Sequence, residues 1–394
     1  MNGKTVTRLF LFLALLILPL ASCRGGETPP IPQMPTGTYT ETRLPLFSST
    51  PPTPSTTPSI APTLTTTSTA LPTFSYPITP GPIINRENAG RLALLGAVYA
   101  KTSHADVTNR IRHQLDWSPD GREIVLASDG DGIRFIDPLN MKDIGGITEV
   151  NGELINYPGT VVYNPDGKSL VTTIPAGLAN KPGPIIFIDS QTHIENHKSL
   201  DVTETLMITY NRTGKRMAVG SRYHISVYDF TLDKWIWDIG ENNGFFDFVS
   251  FSWDDRYLAF TGEYGGGIVN TDTWESLKIF DDMDMSEPLC FSRDSKYYAR
   301  LPGIWSMNDF TLRKGFSEGY TFDTCEFGKE NDIVINLEEE TKVQIWDVET
   351  GEILTEITGQ QGSIYDMALS PDGRFLATAE GFENPMLKIW GIPA

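Results

Sequence analysis

After about residue 83 the chain alternates apolar and polar residues in short runs. Leu115 and Trp117, Val161 and Tyr163, Val249 and Phe251, and Met367 and Leu369 each stand two positions apart, the period of a strand that packs one face. Each run enters a polar tetrapeptide, seven in all: Ser118-Pro119-Asp120-Gly121, Asn164-Pro165-Asp166-Gly167, Asn211-Arg212-Thr213-Gly214, Ser252-Trp253-Asp254-Asp255, Ser292-Arg293-Asp294-Ser295, Gly328-Lys329-Glu330-Asn331 and Ser370-Pro371-Asp372-Gly373. In such a turn Pro presets φ, Asp bonds its own backbone and Gly takes the φ > 0 position, so one strand reverses into the next. Roughly 12 to 23 residues further on comes an apolar triplet, often ending in Asp. The triplets are Phe135-Ile136-Asp137, Phe187-Ile188-Asp189, Val227-Tyr228-Asp229, Ile268-Val269-Asn270, Ile304-Trp305-Ser306, Ile345-Trp346-Asp347 and Ile389-Trp390-Gly391.

The turns recur about every 42 residues, the length of one four-stranded propeller blade. Each unit therefore reads as strand, tight turn, strand, hairpin, strand, with a fourth strand before the next unit. The pattern predicts an all-β, seven-bladed β-propeller over residues 83–394. The seventh unit ends at Ala394 without a fourth strand, and Arg91-Leu92-Ala93-Leu94-Leu95-Gly96 reads as that missing outer strand. A ring closed in this way has no open seam to invite edge pairing.

Ile345-Trp346-Asp347, together with Ser370-Pro371-Asp372-Gly373 and Ile389-Trp390, resembles the WD40 family over nearly all of this region. The resemblance implies a protein-binding module that uses the loops joining successive blades and those between second and third strands. No Gly-His dipeptide separates the units, so the family's tetrad of His, Ser or Thr, Asp and Trp is expected to be missing. The Ser-Pro-Asp-Gly turns are also similar to those of TolB-like propellers, a structural alternative.

The start of the chain reads as an address. Lys4 and Arg8 precede the apolar run Leu9 to Leu20, about a dozen residues where a bilayer span needs roughly 20. It ends in Leu20-Ala21-Ser22-Cys23, which resembles the bacterial lipobox. The resemblance implies that residues 1–22 are a lipoprotein signal peptide and that the Cys23 thiol is acylated; two or three acyl chains anchor durably where one does not. Arg24 stands where an Asp would resemble an inner-membrane retention signal. The expected location is the extracytoplasmic side of the cell membrane or outer membrane. From Glu27 to Pro82 Thr, Pro and Ser dominate, a composition unable to bury enough apolar surface to offset its ordering entropy. Residues 23–82 therefore read as the lipidated Cys and a disordered stalk, roughly 56 residues of it reaching between about 40 Å as a coil and about 170 Å as polyproline II.

Charge and cysteine content narrow the functions. Fifty acidic against 31 basic residues, a net charge of −19 in 394 residues, argue against nucleic acid and against membrane adhesion by basic patches. Three cysteines, one assigned to lipid, cannot make a disulfide framework. Cys290 and Cys325 lie one residue apart in the repeat frame and so can face each other between blades; burial as free thiols is the expectation, with a bond as the alternative. No His-Glu-x-x-His, phosphate-cradling loop with a Lys, or paired Cys or His at zinc spacing is found, and no catalytic residue, metal or cofactor is assigned. His104, His113, His193, His197 and His224 are scattered; His193 and His197 are four apart, a ligand spacing on a helix, but they fall in a segment that reads as strand or loop and are expected at the surface. Asp129-Gly130-Asp131-Gly132 and Asp281-Asp282-Met283-Asp284 could attract Ca²⁺, but the first resembles a hairpin tip, where Asp and Gly supply turn geometry without a metal, and no metal is assigned to either. Glu338-Glu339-Glu340 reads as a solvated acidic tip. On the predicted binding face the plausible aromatic anchors are Phe245, Phe246, Tyr264, Tyr320 and Phe382, which pack between blades in the alternative. The leading expectation is a tethered module that binds a protein or peptide and touches membrane only through its lipid. The alternatives are a hydrolase or carbohydrate-active propeller using channel carboxylates, and an envelope assembly subunit of the TolB-like kind.

Overall fold

The computed structural model describes residues 73–100, 115–128, 131–150, 153–155, 159–173, 184–202, 205–221, 223–240, 246–262, 265–280, 287–316, 321–358, 363–380 and 386–394. The predicted signal segment, Cys23 and the predicted stalk up to residue 72 lie outside them. The described residues form seven four-stranded antiparallel sheets and one two-stranded hairpin, Glu149–Val150 with Glu153–Leu154. In chain order the innermost strands of blades 1 to 7 are Leu115–Trp117, Val161–Tyr163, Thr205–Tyr210, Phe246–Phe251, Cys290–Phe291, Thr324–Phe327 and Ile364–Leu369.

Blade 7 takes its outer strand from the other end of the domain. Its order from the axis outward is Ile364–Leu369, Phe375–Glu380, Met386–Gly391 and then Ala93–Tyr99. Ala93 pairs with Gly391 and Tyr99 with Met386, with a bulge between Leu94 and Gly96. The closing strand thus starts two residues later than the sequence predicts. Asn85 and Asn88 are the reason: the Asn88 amide side chain donates to the Ile83 carbonyl at 2.8 Å, and the turn they hold winds Ala89–Arg91 into a 3-10 helix. The folded part also reaches back before residue 83. Ile78 is buried and its N–H donates to the Leu139 carbonyl at 2.7 Å, while the Gly81 carbonyl accepts from the Arg374 guanidinium at 2.8 Å. The end of the predicted stalk is therefore part of the propeller.

All seven turns close as the sequence pattern requires. The fourth residue's N–H donates to the first residue's carbonyl at 2.8 to 3.1 Å, and the fourth residue has positive φ in every blade. In blades 4, 5 and 6 that residue is Asp255, Ser295 and Asn331 rather than Gly, a conformation that costs an L-residue about 1–2 kcal/mol. Each of the three side chains reaches back to the preceding blade. Asp255 accepts from the backbone of Arg212 and Thr213 and from the Asn211 side chain, Ser295 from the Asp254 N–H, and Asn331 from the Arg293 N–H. These bonds offset the strain by tying neighbouring turns together.

The core lies between blades. Leu115, Trp117, Ile124 and Leu126 of blade 1 pack on Ala377, Leu387 and Ile389 of blade 7, and Val125, Phe135 and Ile133 pack on Val161 and Tyr163 of blade 2. Opposite faces of one strand thus serve two interfaces. The Trp-to-hydroxyl half of the expected-missing tetrad survives in blade 7, where the Trp390 Nε1–H donates to Thr378 at 3.0 Å and the Thr378 hydroxyl donates to Glu380 at 3.1 Å. In blade 6 Asn336 accepts from Trp346 instead, at 2.6 Å.

Cys290 and Cys325 form a disulfide, Cα atoms 5.7 Å apart, which overturns the expectation of free thiols. Position in the repeat is the physical reason. Alternate residues of an inner strand face the next blade, which turns Cys290 of blade 5 toward Cys325 of blade 6. The bridge closes a loop of 35 residues, for which the loss of chain entropy corresponds to roughly 2–4 kcal/mol. Reduction should lower the denaturant midpoint accordingly, and a thiol probe should label Cys290 and Cys325 only after reduction and unfolding; labelling of the folded, unreduced chain at either position would refute the bond.

Candidate functional site

The innermost strands leave one edge facing the axis, where seven sets of backbone groups lack a strand partner. An unpaired edge of this kind must be covered or bonded. Carboxylates from the preceding blade do much of this. Asp116 of blade 1 accepts the Tyr163 N–H of blade 2 at 2.8 Å, Glu326 of blade 6 accepts the Leu369 N–H of blade 7 at 3.0 Å, and Asp366 of blade 7 accepts the Leu115 N–H of blade 1 at 3.0 Å. The Trp117 indole donates to the Ala368 carbonyl at 3.0 Å, again across the 7–1 seam. The disulfide ties blades 5 and 6 at the equivalent level.

The axial cavity these strands enclose has a volume of about 420 Å³, within the range of small-ligand sites. Asp116 and Glu326 line it. Burial pushes the Asp116 carboxyl up to about 7, opposed by the Tyr163 and Trp117 N–H donors and reinforced by the charges of Glu326 and Asp366. Burial likewise pushes Glu326 up to about 7, opposed by the Arg293 charge and the Leu369 N–H. Perturbed acids in a cavity have the look of general acid–base groups, but here the carboxylates are engaged with the backbone of the neighbouring blade.

Their linkage to stability has a definite sign. A carboxyl whose folded value exceeds its unfolded value of roughly 4 holds its proton longer in the folded state. Its contribution is full below the unfolded value and is lost as pH rises toward about 7. Glu326→Gln, which keeps an acceptor for Leu369, should therefore lose less stability than the parent chain between pH 4 and pH 8. The difference should reach on the order of 2–3 kcal/mol by urea denaturation at each pH, and parallel profiles would refute the assignment.

Phe246, expected as an exposed anchor, is buried: it opens the inner strand of blade 4 opposite Gly262 and meets the Phe260 ring edge-on with centroids 5.9 Å apart. Strand pairing reaches one residue further than the turn pattern implies and turns the ring into the core. Phe245, Tyr264, Tyr320 and Phe382 lie outside the described residues, as do His104, His113, Asp129 and Asp281 to Asp284. His193 is not a simple surface residue, since its ring stacks on Phe135 at 3.6 Å and its Nε2 lies 3.3 Å from Glu123, which also accepts from the Tyr163 hydroxyl. Glu338 departs from the solvated tip as well: it is buried and pairs with Lys342 at 2.8 Å, while Glu339 and Glu340 make the turn with positive φ.

A wider recess of about 860 Å³ lies where the segment before the closing strand meets blades 5 and 6. Its rim is occupied by that segment's own contacts: Asn85 donates to Glu330, the Arg86 N–H to Asp332, and the Arg86 guanidinium pairs with Glu349. It is a docking seam of the fold.

Seven antiparallel blades around an axis, stitched edge to edge and closed by an N-terminal strand, define a seven-bladed β-propeller. The WD domain, G-beta repeat family matches residues 351–391, the stretch that holds the inner three strands of blade 7 and the Trp390–Thr378 bond. The match thus covers one blade of the seven, and propellers built of such repeats commonly bind proteins. The chain is similar to GID complex subunit 7 of Schizosaccharomyces pombe, 22% identical over 146 residues, covering 35% of this chain and 27% of that protein. It is also similar to human WD repeat-containing protein 36, 40% identical over 52 residues, covering 13% of this chain and 6% of that protein. The chain thus spans little more than a quarter of the first relative's length and far less of the second's.

Proposed function

We propose that this protein is a lipid-anchored, extracytoplasmic propeller that binds a protein or peptide through the loops joining its blades. The closed ring is the observation that carries the reading: Ala93–Tyr99 seals blade 7, so the disc is a rigid platform whose function has to reside in its loops and axis. The relative named as subunit 7 of a complex is in keeping with an assembly role. Leu20-Ala21-Ser22-Cys23 supports acylation at Cys23, and the Thr- and Pro-rich stretch supports a tether that holds the disc away from the membrane.

Two measurements test this. In a bacterial host fed a clickable fatty acid, the full chain should be labelled and found in the membrane fraction, and Cys23→Ala should lose both properties. Cross-linking of the full chain in that envelope should capture a specific partner, and alanine at Phe245, Tyr264, Tyr320 and Phe382 together should abolish capture while leaving the unfolding midpoint unchanged. Capture that survives all four substitutions would remove the blade-joining face from the reading, and an unlabelled parent chain would remove the anchor.

A further inference from the structure

The second residue of each inner-strand turn stands around one mouth of the axial channel, the mouth opposite the blade-joining loops. In blades 7, 1 and 2 it is Pro371, Pro119 and Pro165; in blades 3, 4 and 5 it is Arg212, Trp253 and Arg293, and all six line the 420 Å³ cavity. The two arginines come from the blades on either side of Trp253, and their guanidinium carbons lie 4.8 and 4.4 Å from its ring centroid. Cation–π contact orients a guanidinium without consuming its N–H donors. Neither side chain forms an ion pair or hydrogen bond among the described residues, although Glu326 lies near enough to act on Arg293 through its charge. The Arg293 Nε is buried without a partner. A second buried polar group is left open in the same cavity, because the hydroxyl of Tyr210, a residue 7% exposed at the seam of blades 2 and 3, also lines it without a partner.

Two cations held against one ring repel, and buried polar groups left unsatisfied cost free energy. Such an arrangement is stabilised when an oxyanion fills it, since a guanidinium matches carboxylate or phosphate with paired donors. The surroundings are apolar and aromatic: Phe248, Phe251, Phe291 and Leu289 complete the wall. The geometry points to a binding site for a small amphipathic oxyanion, a carboxylate or phosphate carried on an aromatic or aliphatic body, whose charged end is taken by the Arg212 and Arg293 guanidinium groups at the mouth and whose body enters the channel. The site is independent of the proposed protein-binding face and stands or falls separately from it.

Calorimetric titration of the full chain with phenyl phosphate and with benzoate tests the site, with benzyl alcohol and inorganic phosphate as the two halves of the probe. At least one aromatic anion should bind with one-to-one stoichiometry, and benzyl alcohol and inorganic phosphate at least about tenfold more weakly. Arg212→Gln and Arg293→Gln should each raise Kd about tenfold, equivalent to about 1.4 kcal/mol, and Tyr210→Phe several-fold. Arg212 is exposed and its replacement leaves the core untouched, so that variant remains decisive if Arg293→Gln folds poorly. Absence of saturable binding by either anion would overturn the proposal, as would binding unchanged in Arg212→Gln and Tyr210→Phe, or inorganic phosphate binding as tightly as phenyl phosphate.

Discussion

A chain lacking Ala93–Tyr99 should unfold at least about 10 °C below the parent, with a broadened transition. The strand pairs with Met386–Gly391 along its whole length, and without it blade 7 is a three-stranded sheet whose outer edge, Met386–Gly391, is bare. Leu95 and Val98 pack against the core between blades 7 and 1, and Leu92 and Leu94 against the core between blades 6 and 7. Both seams beside the closing blade would therefore open together. The residues before the strand lose their anchorage too, among them Ile84 and Ala89, which are fully buried beside Ile333, Ile345 and Leu376. An exposed edge that long also templates association, so light scattering should rise before the far-ultraviolet signal is lost. Thermal circular dichroism with scattering detection is the measurement, and an unchanged midpoint would mean that the ring is not closed by this strand.

Lys388→Met should destabilise the domain by about 3–5 kcal/mol, the loss typical of one partner removed from a buried ion pair. Lys388 and Glu380 are each 2% exposed, and the ammonium pairs directly with the carboxylate between adjacent strands of blade 7. The carboxylate also accepts from Thr378, which in turn accepts from Trp390, so a lost ammonium leaves a buried negative charge at the head of a hydrogen-bonded chain. Adding Glu380→Gln removes that charge and keeps an acceptor for Thr378. The double variant should recover at least half of the loss, because much of the single-variant cost is the uncompensated charge rather than the pair's own net contribution. Urea denaturation of the parent, the two single variants and the double variant completes the cycle; additive losses would show that the two side chains act independently.

The sequence by itself determined whatever depends on contacts within one repeat. Strand alternation is a period of two, and turn chemistry is four residues long, so both the number of blades and the positions of their turns could be read directly. The missing fourth strand in the last unit even revealed how the ring closes, though not its starting residue, because a turn held by Asn85 and Asn88 consumes the residues ahead of Ala93. Only the tertiary structure decided what lies between repeats. Nothing local tells that Asp255, Ser295 and Asn331 are held at positive φ by bonds to another blade. The repeat frame let Cys290 face Cys325, but nothing local tells that the two bond, or that Phe246 turns inward against Phe260. Arg212, Trp253 and Arg293 stand about 40 residues apart and share only a place in the repeat frame. A ring turns such equivalent places into neighbours, and a linear pattern has no measure of which of them come within reach of one another across the axis.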